Sequence, residues 1–181
     1  LFNSHFGGFK GIFNPQEKLK DKLVVAGPVE KLRSLSLKGT VILVPTHFSN
    51  LDSAIIGFGM DYIGMPAFQY GAGLNLFNSK IFSFFACYLG AYKLDRRKKN
   101  PIYLETLKSY SKTNVLAGAH TIFFPGGTRS RAGNIETELK LGLLGTVMEA
   151  QRIHFEKNPA NLAPKIFVVP LTISYNFVLE A

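Results

Sequence analysis

Short apolar runs divide the chain at intervals. "KLVVAG" (22–27), "TVILVPTH" (40–47), "MPAFQYGA" (65–72), "GAYKLDR" (90–96), "HTIFFPGG" (120–127) and "KIFVVPLTISY" (165–175) are rich in β-branched and aromatic residues. Most close on Gly or Pro, so they are read as strands with turn punctuation. Between them, Pro28 to Ser36, Ser49 to about Ile63, Asn75 to Leu89, Pro101 to Leu116 and Leu141 to Phe155 are read as helices, with Asn100 as the N-cap of the fourth. "VILVP" and "IFVVPL" are apolar on both alternations. Strands of that kind are expected to be buried on both faces, beneath helices. The predicted fold is a single α/β domain, a mixed, mostly buried β-sheet with helices on both faces. Ligands of such sheets bind beyond the carboxyl ends of the strands. His47 and the "PGGTRSR" loop both fall at such ends.

Length and composition are consistent with that picture. The 181 residues are 46% hydrophobic, enough for one core. Residues 1–22, which mix Phe, Gly and basic side chains, are read as an N-terminal arm or an amphipathic segment, and 23–181 as the domain. The chain opens on Leu1 and stops soon after "VVPLTISY", so a C-terminally truncated fragment is expected. Cys87 is the only cysteine, which excludes an internal disulfide, and its place in "FFACYLG" marks it as a small buried thiol. The apolar run "IFSFFACYLGAY" is too short for a spanning helix, which needs roughly 20 apolar residues. The charge balance changes the picture more. Lys and Arg number 21 against 12 Asp and Glu, a net charge of +9. Partners of negative charge follow: nucleic acid, anionic lipid or a phosphorylated small molecule. No basic-aromatic stacking motif accompanies "DRRKK", which argues against nucleic acid. His5, His120 and His154 show no metal-ligand spacing, so no metal site is expected.

Three stretches carry candidate chemistry. "HFSNLD" (47–52) supports two readings. In one, Ser49 to Asp52 is an S-x-x-D capping box, with the carboxylate on the Ser49 backbone. In the other, Asp52 reaches back from the first helical turn to His47, fixes its tautomer and leaves the second ring nitrogen to take a proton from a hydroxyl. "FPGGTRSR" (124–131) ends a strand in Gly126 and Gly127, where positive φ and an anion nest are available. Arg129 and Arg131 then add planar donors suited to phosphate. "GAYKLDRR" (90–97) places Arg96 and Arg97 at another strand end, where Arg96 extends the anionic-substrate surface. The bland alternatives are a solvated Gly turn and a surface ion pair.

Taken in order, "HFSNLD", "GAYKLDR", "FPGGTRSR" and "VVPLTISY" resemble the four sequence blocks of the glycerol-phosphate and lysophosphatidate acyltransferases, the family known for its H-x4-D motif. The resemblance runs from about Val41 to the C-terminus. It implies His47 as general base with Asp52 as its partner. The acyl donor would be a thioester on coenzyme A or acyl carrier protein. The acceptor would be a glycerophosphate, its phosphate held by Arg96, Gly127, Thr128, Arg129 and Arg131. It implies no metal or redox cofactor and no nucleic acid. The implied location is cytoplasmic and peripheral, at the inner face of a membrane. Between acceptors, "PLTISYNFVLEA" favours glycerol-3-phosphate over lysophosphatidate. No Gly-x-Ser-x-Gly elbow is present, so an acyl-serine intermediate lacks its usual signature. Two departures stand out: Gly126 occupies a position where the family commonly has Glu, and Lys93 replaces an aromatic or aliphatic residue. The Gly126 departure leaves a second expectation open, a non-catalytic lipid- or phosphate-binding module on the same fold.

Overall fold

A computed structural model of the protein describes residues 22–49, 51–78, 83, 90–127, 139, 141–159 and 161–176. Residues 1–21 of the expected arm, Cys87, Thr128, Arg129, Arg131 and the last five residues lie outside them. The regular elements are α1 (Val29–Lys38), β1 (Gly39–Pro45), α2 (Asp52–Tyr62), β2 (Gln69–Gly73), β3 (Ala91–Leu94), α3 (Pro101–Leu116), β4 (Thr121–Ile122), α4 (Gly145–Lys157) and β5 (Lys165–Leu171). A 3-10 turn, Leu74–Phe77, opens the stretch where a helix from Asn75 to Leu89 is expected, and most of that stretch lies outside the described residues.

The strands form one sheet in the order β3-β2-β4-β1-β5. All four described pairings are parallel, so the sheet is not mixed as expected. The connections explain this: β1 to β2, β3 to β4 and β4 to β5 each run through a helix, which returns the chain to the same starting edge. Parallel order also brings every strand's carboxyl end to one edge.

β1 is the strand that most clearly separates two cores. Thr40, Val41, Ile42 and Leu43 are all buried. Val41 and Leu43 face one way, against Ile56 and Met60 of α2 and the apolar side chains of α1. Ile42 faces the other way, against Val115 of α3 and Val147 and Ala150 of α4. The run "VILV" is therefore apolar on both alternations because helices cover both of its faces. On the α3–α4 side, small residues let the helices approach; the buried Ser111 and Thr146 hydroxyls are 3.1 Å apart, and the Thr146 hydroxyl donates to the Leu143 carbonyl at 2.6 Å.

Two strand expectations fail for physical reasons. "KLVVAG" joins no ladder. Its side chains instead cover α2, where a methyl group at Gly59 would meet Leu23 and Val25 at 3.8 Å each. "KIFVVPL" is a strand but not a doubly buried one. β5 lies at the sheet edge, paired only with β1, and Val168 is 51% exposed. Pro170, which has no N–H to give a ladder, is tolerated there. Its neighbour β1 comes so close at its start that a Cβ on Gly39 would lie 1.9 Å from the Lys165 carbonyl oxygen. α3 has the expected bounds; Asn100 caps it by accepting from the Ile102 N–H at 2.8 Å, and Pro101 occupies the first helical position.

Candidate active site

The site lies at the carboxyl edge, where β1 and β4 are neighbours. β1 ends at Pro45, and the Thr46 N–H still bonds the Leu171 carbonyl at 3.2 Å. The chain then leaves the sheet and turns into α2. Ser49 shapes the turn by accepting from the Leu51 N–H at 3.0 Å, and the helix starts at Asp52, three residues later than expected. This geometry puts Asp52 in the first helical turn, fully buried, directly beneath the loop it follows.

The Asp52 carboxylate is surrounded by donors. Its Oδ2 lies 2.8 Å from His47 Nδ1, 2.7 Å from the Phe48 N–H and 3.0 Å from the Ser49 N–H. Its Oδ1 accepts a hydrogen bond from the Tyr175 hydroxyl. Burial by itself pushes the carboxyl upward. The bonds from His47, Tyr175, Ser49 and Phe48 outweigh it and hold Asp52 below its ordinary value. The carboxylate is thus ionised, and the helix N-terminus favours its charge further. One Asp52 oxygen serves the Ser49 backbone and the imidazole together, but the helix is capped at Leu51 with no side-chain bond, so Ser49 is not its N-cap as the capping-box reading expects.

An ionised acceptor on Nδ1 dictates the tautomer. In the neutral ring Nδ1 then carries the hydrogen and Nε2 keeps its lone pair, the state a general base requires. The His47 side chain is 12% exposed. Its ring rests on Phe124, with centroids 4.2 Å apart and planes tilted by 34°. Phe124 follows β4, so the neighbouring strand end sets one wall of the imidazole.

The same strand end opens the Gly loop. The Gly127 N–H bonds the Phe124 carbonyl at 3.1 Å, closing a turn around Pro125 and Gly126. Gly127 has φ of 66°, the conformation that favours glycine. Gly126 does not use the positive φ available to glycine and is buried within the turn. Thr128, Arg129 and Arg131 continue from this loop, beyond the described residues. Arg96 follows β3, three strand spacings from β1, or about 14 Å. Its Nε leans back over the end of β2, 4.0 Å from where a Cβ on Gly73 would lie. Asp95 takes Arg97 as its partner, accepting from the Arg97 backbone N–H at 3.1 Å and from its Nε at 3.2 Å. Arg97 is thereby the surface ion pair of the bland reading, and Arg96 has no ionic partner among the described residues.

Tyr175 was not singled out in the sequence, although its signal is there. Beyond β5 the alternation continues: Val169, Leu171, Ile173 and Tyr175 pack toward the α1–α2 core, while Pro170, Thr172 and Ser174 are exposed. The period of two carries Tyr175 to the N-terminus of α2.

Among the described residues, no helix is long and apolar enough to cross a membrane. The chain is similar to several known proteins. A family model described as Acyltransferase matches residues 25–174. Mouse dihydroxyacetone phosphate acyltransferase is 30% identical over 154 residues, covering 84% of this chain and 22% of that protein. The glycerol-3-phosphate acyltransferase of Hamiltonella defensa is 28% identical over 151 residues, covering 82% and 17%. The chain thus spans about a fifth of the length of these relatives. The crystal structure of the 1-acyl-sn-glycerophosphate acyltransferase PlsC from Thermotoga maritima superposes with a TM-score of 0.46 at 16% identity, covering 90% of this chain and 70% of that one.

Proposed function

The chain belongs to the acyltransferase family, and on that premise we propose that it moves a fatty acyl group from an acyl thioester to the hydroxyl of a small glycerophosphate. The observation that carries the proposal is the His47 Nδ1 to Asp52 Oδ2 contact of 2.8 Å at the carboxyl edge of the sheet. In the proposed reaction His47 Nε2 removes the acceptor's hydroxyl proton as its oxygen bonds to the thioester carbonyl carbon. Asp52 stabilises the imidazolium that results. The tetrahedral intermediate then expels the thiolate, which takes the proton back from Nε2. A thioester is already activated, so base assistance suffices and the step needs no metal or redox cofactor.

The acceptor's phosphate is assigned to Gly127, on the turn that follows Phe124, to Thr128, Arg129 and Arg131, which come next in the sequence, and to Arg96 across the edge. Glycerol-3-phosphate is the acceptor favoured by the sequence. The relatives named dihydroxyacetone phosphate acyltransferase support a second choice, because that acceptor has the same primary hydroxyl and phosphate. The donor carrier is coenzyme A or acyl carrier protein. The net charge of +9 supports work at an anionic membrane surface.

The test is an acceptor panel: glycerol-3-phosphate, dihydroxyacetone phosphate and lysophosphatidate, each with labelled acyl-CoA and acyl carrier protein. Transfer to one of the first two is expected, and His47→Ala should lower it by about 10² to 10⁴. Lipid binding without transfer from either donor to any acceptor would refute the enzyme and favour a binding module.

A further inference from the structure

We propose that Tyr175 is a positioning residue for the His47–Asp52 pair, holding the carboxylate so that one oxygen faces the imidazole. This inference rests on the acyl-transfer reading above. Its basis is the hydrogen bond from the Tyr175 hydroxyl to Asp52 Oδ1, together with the path that brings the tyrosine there. Asp52 Oδ2 already accepts from His47 Nδ1 and from the N–H groups of Phe48 and Ser49. Oδ1 is fixed by Tyr175. With both oxygens engaged, rotation about the Cβ–Cγ bond would break bonds at each end.

Tyr175 is itself fixed by the sheet. The Thr46 N–H bonds the Leu171 carbonyl at 3.2 Å, and the Ile173 N–H bonds Thr46 Oγ1 at 3.4 Å. These tethers run the extension of β5 beside the loop that carries His47. Ile173 is buried at 9% exposure in the core that also includes Ile56 and Met60 of α2. Two residues on, the same alternation delivers the phenol to the start of α2. One end of β5 thus orients a residue on α2, which orients a residue after β1. His47 and Tyr175 are the titratable groups that bond the Asp52 carboxylate among the described residues.

The phenol has a second effect on the chemistry. Donating to the carboxylate spreads its charge. Without the phenol, Asp52 holds the imidazolium more tightly, and the base is less easily returned to its neutral form.

The test is Tyr175→Phe in the full chain, which removes one oxygen and keeps the ring. Three results are expected: kcat falls about tenfold, the KM for the acceptor changes by less than about twofold, and the acid limb of the kcat/KM profile moves to higher pH. The His47 Nδ1–H signal in ¹⁵N NMR should broaden in the variant, a readout independent of turnover. A purely structural role would lower the melting temperature without moving the pH limb or that signal. A variant with unchanged kcat, pH profile and Nδ1–H signal overturns the proposal while leaving acyl transfer intact. If wild type lacks transfer, or His47→Ala retains it, the acyl-transfer reading fails and takes this proposal with it.

Discussion

Asp52→Asn separates charge from geometry at the site. The amide has one oxygen where the carboxylate has two, so its orientation matters. With the oxygen at the Oδ2 position, it still accepts from His47 Nδ1, Phe48 N–H and Ser49 N–H. The NH₂ then faces Tyr175, whose hydroxyl can turn from donor to acceptor. The flipped amide would press a donor against three donors. The first orientation therefore wins, the loop is kept and His47 retains its tautomer. Only the charge that stabilises the imidazolium is lost. Hydrogen bonds to charged groups contribute about 1.5–3 kcal/mol, against roughly 1 for neutral ones. At about 1.4 kcal/mol per decade, the difference of about 0.5–2 kcal/mol gives an expected loss in kcat of about 2- to 30-fold. That is smaller than the ~10⁴ seen when the equivalent change in a serine-protease triad forces the wrong tautomer. The assay is thiol release from the acyl donor at saturating acceptor, with thermal melts in parallel. A kcat within twofold of wild type would refute the charge argument. A 10⁴-fold loss with an unaltered melt would show that the amide had flipped. Asp52→Ala is the poorer probe, because it strands several buried donors at about 1–3 kcal/mol each and confounds activity with folding.

Gly39→Ala should destabilise the fold by about 1–3 kcal/mol, read from denaturant midpoints, because the new methyl meets the Lys165 carbonyl of the neighbouring strand. His120 is held below its ordinary value by burial, and its Nδ1 accepts from the Val41 N–H at 3.0 Å. Its contribution is therefore present above the ordinary histidine value of 6.5 and is lost as pH falls through the lower folded value, so melting temperature should drop as pH falls below about 6.5. A flat melting profile across that window would refute it. Arg129→Ala should raise the KM for a phosphorylated acceptor by about 10- to 100-fold, more than it lowers kcat, as expected for a lost charge-assisted bond. Equal kinetics for wild type and variant would remove Arg129 from the phosphate site.

Legibility in the sequence followed the number of independent constraints at each position. α3 was readable to its end residues because Asn100, Pro101 and a long apolar pattern agree. β1 was readable because a strand covered by helices on both faces has no polar alternate. "KLVVAG" and "KIFVVPL" look equally strand-like, and nothing local distinguishes a central strand, an edge strand and a segment lying across a helix. Those differences arise from which neighbours the rest of the chain supplies. Gly126 and Gly127 look interchangeable in the sequence, yet only Gly127 has positive φ. Gly126 therefore imposes no such demand on its backbone, and the family's more usual Glu is not excluded there by φ.

The pair of readings for "HFSNLD" shows why a local pattern under-determines a site. Capping and catalysis appeared to compete for Asp52 because each seemed to need the whole side chain. A carboxylate offers about four acceptor positions on two oxygens, and here each oxygen is engaged. Oδ2 joins the Phe48 and Ser49 backbone to the imidazole, so the loop that carries His47 is held by the same atom that polarises it. His47 cannot drift from Asp52 without unmaking the turn into α2. Oδ1 depends on Tyr175, more than a hundred residues away, reached through the register of β5 on β1. The local half of the site was written in six consecutive residues. The remote half followed only from knowing which strand lies at the edge and which way its alternation faces.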